Sequence, residues 1–335
     1  MSSPAPLAIS LGDPAGVGPE LIAAAWARRD VERLPPFFVV EGKGLLPEAA
    51  ASRGLKVPIA PIADPAEALA EFPHALPVLG SADFDWHPGN PTHDSAQLAL
   101  ASLLWATRLA IAGDAGGIVT GPVAKSQLAQ VGFSQPGQTE FVADMCHVAH
   151  DDAVMMLAGP NLCTVPLTIH EAIADVPRRL TTDLIVRRAR IVAQALARDY
   201  GISDPRLAVC GLNPHAGEQG RFGDEEARII APAIEILRGE GLDVTGPHSA
   251  DTLFAPRERE TYDVALCMYH DQALIPIKTL DFDSGVNVTL GLPIVRTSPD
   301  HGTAFALAGK NLANPGAMIA AIRMAGECAA RRAGA

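Results

Sequence analysis

An α/β fold with a mostly parallel sheet, spread over two domains, is what this sequence predicts, and three observations carry the prediction. Short apolar runs alternate with amphipathic stretches along the chain. Most of those runs are apolar on both faces, as strands are when helices cover both sides of a sheet. The 335 residues, 48% of them hydrophobic, suffice for two cores that share a cleft.

Taken in order, strands are expected over residues 7–11, 37–40, 117–123, 153–158, 162–169, 207–212 and 264–269. A helix is expected over 183–198, where Ile185, Ala189, Val192 and Leu196 recur at helical spacing behind Thr181 or Thr182 as N-cap. Another spans 96–112 behind Asp94 and Ser95, and a third starts near Asp224, runs through Ile229, Ile230, Ile234 and Leu237, and stops close to Gly239 and Gly241. The Ala/Pro-rich stretch 60–77 reads as irregular surface or a connecting segment. No internal repeat is present, and the sharpest change in composition follows Asp144.

Charge narrows the partners. A formal net charge of -12 and a pI near 5.2 give no cationic field to attract nucleic acid or an anionic membrane, although a phosphate can still be bound locally. The longest uncharged stretch, 153–169, is broken by Pro160 and Asn161 and is shorter than the ~20 apolar residues of a spanning helix. Asp13, Glu20, Arg28, Arg29 and Asp30 rule against a signal peptide, so a cytoplasmic protein is expected. Cys146, Cys163, Cys210, Cys267 and Cys328 form no CxxC pair. They read as buried thiols of a reducing compartment, neither a disulfide framework nor a zinc site.

Unusual polar clusters fall directly after expected strands, where ligands gather in open α/β sheets. They are residues 12–20 (GDPAGVGPE), 120–125 (TGPVAK), 168–171 (TIHE), 213–218 (NPHAGE) and 269–272 (YHDQ). The glycine-rich cluster matches neither GxGxxG nor GxxxxGK[ST]. It reads equally as a ligand-contacting loop and as a tight strand-to-helix turn with Pro19 opening the helix. His170, His215 and His270 each end an apolar run beside a carboxylate able to orient the ring. Imidazole suits Zn, Co, Ni or Fe, and a three-histidine site leaves positions open for substrate. Singly, each reads more readily as a structural histidine than as a ligand; the shared setting brings the metal reading of the set level with the structural one. His74, His87, His93, His147 and His150 lack that setting. Further on, Lys278, Asn287 and Arg296 stand in a polar run with Asp281, Asp283, Thr297, Ser298, Asp300 and His301. They suit a doubly anionic substrate, with Arg bidentate and Lys a point charge, or else a solvated loop with ion pairs.

The ordered motifs LGDPAGVGPE (11–20), GPVAK (121–125), GQTEF (137–141), LNPHAGEQGRFG (212–223), ADTLF (250–254), YHDQ (269–272) and GVNVTLGLPIVRTSPDHG (285–302) resemble the 4-hydroxythreonine-4-phosphate dehydrogenase family nearly end to end. The first is also similar to the opening of isopropylmalate and isocitrate dehydrogenases. The resemblance implies an isocitrate/isopropylmalate dehydrogenase-like fold of two α/β/α domains, drawn as 1–136 plus 290–335 and as 137–289, with the active site in the interdomain cleft. It implies a homodimer with that site at the interface, NAD or NADP as cofactor, and one divalent metal per subunit (Zn, Mg or Co). By the same resemblance His170, His215 and His270 are metal ligands drawn from both subunits, and Gln138, Thr139, Lys278, Asn287 and Arg296 contact substrate. Where the family usually has histidine in GHTEF, this chain has Gln138, which hydrogen-bonds but cannot become a cation.

The implied reaction is oxidation of 4-phosphooxy-L-threonine at C3 with decarboxylation to 3-amino-2-oxopropyl phosphate, in vitamin B6 (pyridoxal phosphate) synthesis. Asp251 and Lys278 are the proton-acceptor candidates. Competing readings are a D-threonate or D-erythronate 4-phosphate dehydrogenase, a metal-dependent hydrolase of phosphorylated metabolites, and a metal- and metabolite-binding protein without turnover. No dinucleotide fingerprint places the cofactor.

Overall fold

Strongly apolar tetrads such as Phe37–Val40 have no polar face to give to water, and each is buried throughout. The computed structural model describes residues 4–334. In chain order the principal elements are β1 (Leu7–Ser10), α1 (Gly18–Ala27), β2 (Phe37–Val40), α2 (Leu45–Ser52), β3 (Ile59–Ile62), β4 (Leu76–Leu79), α3 (His93–Ala112), β5 (Ile118–Thr120) and α4 (Gln138–Met145). There follow β6 (Val154–Ala158), β7 (Cys163–Pro166), α5 (Thr182–Tyr200), β8 (Arg206–Cys210), α6 (Ala231–Gly239), β9 (Asp243–His248), β10 (Val264–Cys267), α7 (His270–Asp281), β11 (Val286–Leu290), β12 (Arg296–Pro299) and α8 (Gly316–Gly334).

The chain divides into two units, residues 1–148 with 292–335, and residues 149–291. The first change of unit therefore comes after Val148, later than the boundary expected at 136. The reason is that α4 stays with the first unit: it packs on α3, and Phe141 meets Phe133 at 5.4 Å between ring centroids.

In the first unit the strand order is β3-β4-β2-β1-β5-β12, parallel throughout. The stretch 60–77, expected to be irregular, supplies β3 and β4. Proline masked them, but β3 is an edge strand, where Pro61 forfeits little of the ladder. Helix α3 begins three residues earlier than expected. Thr92 is its N-cap in a reciprocal box with Ser95, and Gly113 ends it at φ 83°. It is long and apolar enough to cross a membrane by length and composition, but half of that stretch is buried within the fold, as a core helix is.

The second unit has order β11-β6-β7-β10-β8-β9. Here β6 runs antiparallel to both neighbours, whereas β7, β10, β8 and β9 are parallel. Helix α5 starts at the expected cap, Thr181 accepting from the Leu184 amide, and stops at Gly201 in the left-handed region. The third expected helix is interrupted: residues Glu226–Ile230 form a π-helical turn before α6. A core of Leu157, Leu162, Ala208, Leu253, Tyr262 and Ile277, with Cys210 and Cys267, lies beneath the strand ends.

Candidate functional site

The polar clusters of the first unit sit at the carboxyl ends of its strands. After β1 the chain turns at Gly12, φ 73°, where a Cβ would lie 2.6 Å from the Pro122 carbonyl oxygen, so only glycine fits. Pro19 then opens α1, which realises the tight-turn reading of this loop. Asp13 is buried there, accepting from the Ala15 amide at 3.0 Å, and burial raises its carboxyl above the usual range.

Arg296 opens β12 and is only 4% exposed. Its Nη2 donates to Thr120 Oγ1 at 2.8 Å and to Gln138 Oε1 at 3.4 Å, and its Nη1 to Thr139 Oγ1 at 3.4 Å. Desolvation lowers the guanidinium to about 10 while Glu140 opposes it, so Arg296 stays cationic at neutral pH. Gln138 is fixed at its other end by donating Nε2–H to the Gly121 carbonyl oxygen at 3.0 Å. Three expected substrate contacts, Gln138, Thr139 and Arg296, therefore converge at the amino end of α4, which carries no side-chain cap at Gly137. A buried cation beside uncapped helix amides is suited to an anion. The Lys125 amine, of the GPVAK motif, lies 3.6 Å from where a Gly137 Cβ would stand.

All three candidate metal ligands lie in the second unit, in the segments that follow strands β7, β8 and β10, with His270 the first residue of α7. His170 (φ 56°) and His215 (φ 54°) adopt the left-handed backbone region, which costs a non-glycine residue about 1–2 kcal/mol. His215 begins an unusual left-handed stretch that continues through Ala216, Gly217, Glu218 and Gln219. The rings of His170 and His270 lie 5.9 Å apart between centroids, tilted by 36°. That leaves room for one ion bound at ~2.0–2.1 Å from a nitrogen of each. His270 Nδ1 meets Asp271 Oδ1 at 2.7 Å, the carboxylate partner that leaves Nε2 for a ligand. His215 packs against Phe222 at 6.2 Å and faces Asp251, whose carboxyl the Ser249 hydroxyl holds below its usual range, with His215 contributing. Among the described residues no group of three His, Cys, Asp or Glu converges on one point. Within one chain the set is thus a pair plus His215 with its own carboxylate. The donor set fits a borderline divalent ion at the pair.

Lys278 lies half-buried on α7, two turns beyond His270. Asn287, on β11, donates to the Met155 sulfur at 3.4 Å, and its Oδ1 is buried without a hydrogen-bond partner. Among the described residues nothing donates to this oxygen, and buried amide oxygens normally accept a hydrogen bond.

Hydrogen bonds beneath the histidines were not legible in the sequence. Thr168 Oγ1 donates to the Met268 carbonyl at 2.8 Å. Gln272 bridges Met268 and Gly211. Glu226, on the π-helical turn, accepts from the Asn213 backbone at 2.7 Å and side chain at 3.0 Å. In a sequence Glu225-Glu226 looks like the solvated start of a helix; only the π turn explains why Glu226 is buried.

Comparison with known proteins places this geometry. The family model described as pyridoxal phosphate biosynthetic protein PdxA matches residues 33–325. The chain is 61% identical over 330 residues to the 4-hydroxythreonine-4-phosphate dehydrogenase of Erythrobacter litoralis, covering 98% of each. It is 55% identical over 328 residues to the protein of that name from Zymomonas mobilis, covering 98% of this chain and 96% of the relative. Among solved structures, the crystal structure of 4-hydroxythreonine-4-phosphate dehydrogenase from Klebsiella pneumoniae matches with a TM-score of 0.87 at 36% identity, over 98% of this chain and 99% of that one.

Proposed function

We propose, on the premise that this chain belongs to the pyridoxal phosphate biosynthetic protein PdxA family, that it is a 4-hydroxythreonine-4-phosphate dehydrogenase. In this reading it oxidises 4-phosphooxy-L-threonine at C3, with decarboxylation to 3-amino-2-oxopropyl phosphate. The observation that carries the chemistry is the pairing of His170 and His270 rings, 5.9 Å apart, just beyond the neighbouring strands β7 and β10.

When bound, a divalent ion (Zn, Mg or Co) supplies Lewis acidity at the substrate oxygens and NAD or NADP accepts the hydride. His170, His215 and His270 would hold the ion. Arg296, with Thr139 and the uncapped amino end of α4, binds an anionic group of the substrate; Gln138 keeps the guanidinium oriented. Lys278 and Asn287 add a charge and a buried acceptor. Asp251 and Lys278 are the candidates to take the hydroxyl proton. Asp251 is ionised at neutral pH, and its depressed pKa makes it the weaker base and a good charge partner for His215.

A second copy of the chain completes the site. Ile173, Phe222 and Ile275 are 65%, 50% and 64% exposed, and each follows one of the three histidines within seven residues in sequence. Apolar residues left in water around a ligand set call for a covering surface, and a homodimer interface there brings ligands from both copies together. The five cysteines are free thiols, as suits the cytoplasm.

The test is formation of reduced nicotinamide by the purified protein with a divalent metal, NAD or NADP, and 4-phosphooxy-L-threonine, D-threonate 4-phosphate or D-erythronate 4-phosphate. A metal-dependent signal with the first is expected. In a second reading only the sugar acid phosphates react, and the same assay separates the two. No reduction of cofactor with any of the three would contradict both.

A further inference from the structure

The ladder between β8 and β10 is in register only from Leu207↔Val264 to Val209↔Leu266. One residue further, Cys210 and Cys267 stand with sulfurs 3.9 Å apart. Beyond them the strands carry their histidine loops, and the next buried backbone groups need partners that the ladder does not supply. Gln272, 8% exposed, supplies them. Its Oε1 accepts from the Met268 amide at 2.6 Å, and its Nε2 donates to the Gly211 carbonyl oxygen at 2.8 Å. The side-chain amide thus takes the place of a peptide unit between two separating strands. The carbonyl of the same Met268 accepts from Thr168 Oγ1, two residues before His170. Met268 itself lies two residues before His270, and Gly211 four before His215. Gln272 therefore joins the strand ends before His215 and His270, and the Thr168 hydroxyl ties the strand end before His170 to the same Met268 peptide.

We propose that Gln272 is a positioning residue for the metal centre: it sets the separation of the His215 loop from the His270 turn and so tunes metal affinity and coordination geometry. This rests on the assignment of the histidines as ligands. Both functions of its amide are needed. In Gln272→Glu one oxygen still accepts from Met268, but the other sets a carboxylate against the Gly211 carbonyl. In Gln272→Met the length is kept and both hydrogen bonds are lost.

The test is Co²⁺ titration of full-length protein by calorimetry, with the visible spectrum recorded at saturation and thermal unfolding of the metal-free protein as a check on folding. Wild type, Gln272→Met, Gln272→Glu and His215→Ala are compared, and Gln272→Glu serves alone if Gln272→Met does not fold. Partners of metal ligands typically change affinity by about 10–100-fold. The expected result is a Kd raised at least about tenfold in the Gln272 variants, with shifted Co²⁺ bands, and no binding by His215→Ala. Wild-type affinity and spectrum in the Gln272 variants, with binding lost in His215→Ala, overturn the positioning role and leave the ligand assignment standing. Wild-type binding by His215→Ala overturns the assignment and the inference with it.

Discussion

The two polar clusters are built in opposite ways. Around Arg296 every functional side chain leaves a regular element: Thr120 ends β5, Gln138 and Thr139 open α4, and Arg296 opens β12. The side chains bond to one another, so secondary structure itself sets their positions. Around the histidines the backbone is left-handed at His170 and His215, and the loops are held from beneath by Thr168, Gln272 and Glu226. An anion needs only a buried cation and donors at roughly the right depth. A metal needs donor atoms placed to within tenths of an ångström, and the surrounding hydrogen bonds offset the strain.

Breaking the first cluster should have the largest effect on turnover. Arg296→Ala removes the buried cation, and kcat/KM for 4-phosphooxy-L-threonine is expected to fall on the order of 10²–10³-fold, with metal stoichiometry unchanged. A loss of bound metal in this variant would show that the clusters are not separable.

Breaking the support of the second should act first on stability. Glu226→Ala leaves the part-buried Asn213 amide without its acceptor, and urea unfolding is expected to show a loss of about 1 kcal/mol together with weaker metal binding. If binding is unchanged, the left-handed stretch holds itself.

A smaller effect sharpens the role of the neutral residue. Gln138→His introduces a group that titrates near pH ~6.5, lower beside the Arg296 cation. KM should acquire a pH dependence, falling as the imidazole becomes protonated, that the wild type lacks in the same range.

The smallest is Asp13→Asn. Burial raises the folded-state pKa of Asp13, so its contribution to stability is fully present below the unfolded value of about 4 and is lost as pH rises through the folded value. The variant should therefore melt higher than wild type at pH 7–8, by an amount worth ~1 kcal/mol or less, and the difference should vanish towards pH 4. Asparagine can still accept from the Ala15 amide. Equal melting temperatures across that range would mean that the Asp13 charge is compensated.

What could be read in the sequence follows the same division. Phe37–Val40 and the helix capped by Thr181 were legible because burial on both faces and helical periodicity are local signals. The histidines stand out in the sequence as candidates because chemistry-bearing side chains follow strands there, and Arg296 does so because it lies in a dense polar run within apolar sequence. β3 and β4 were not, because proline at a sheet edge resembles proline in a loop. Gln272 and Glu226 were not either: nothing local distinguishes a buried polar residue that bonds a backbone 61 residues away from one that faces water. The end of the first segment was misplaced because α4 belongs with the first unit through packing on α3, a contact between residues far apart in sequence.

The proposed three-histidine metal centre is tested most directly by metal content and calorimetric Zn²⁺ affinity for wild type and for His170→Ala, His215→Ala and His270→Ala. One ion per chain in the wild type is expected, lost from all three variants while the metal-free proteins stay folded. Wild-type stoichiometry and affinity in any one of them would contradict the three-histidine centre.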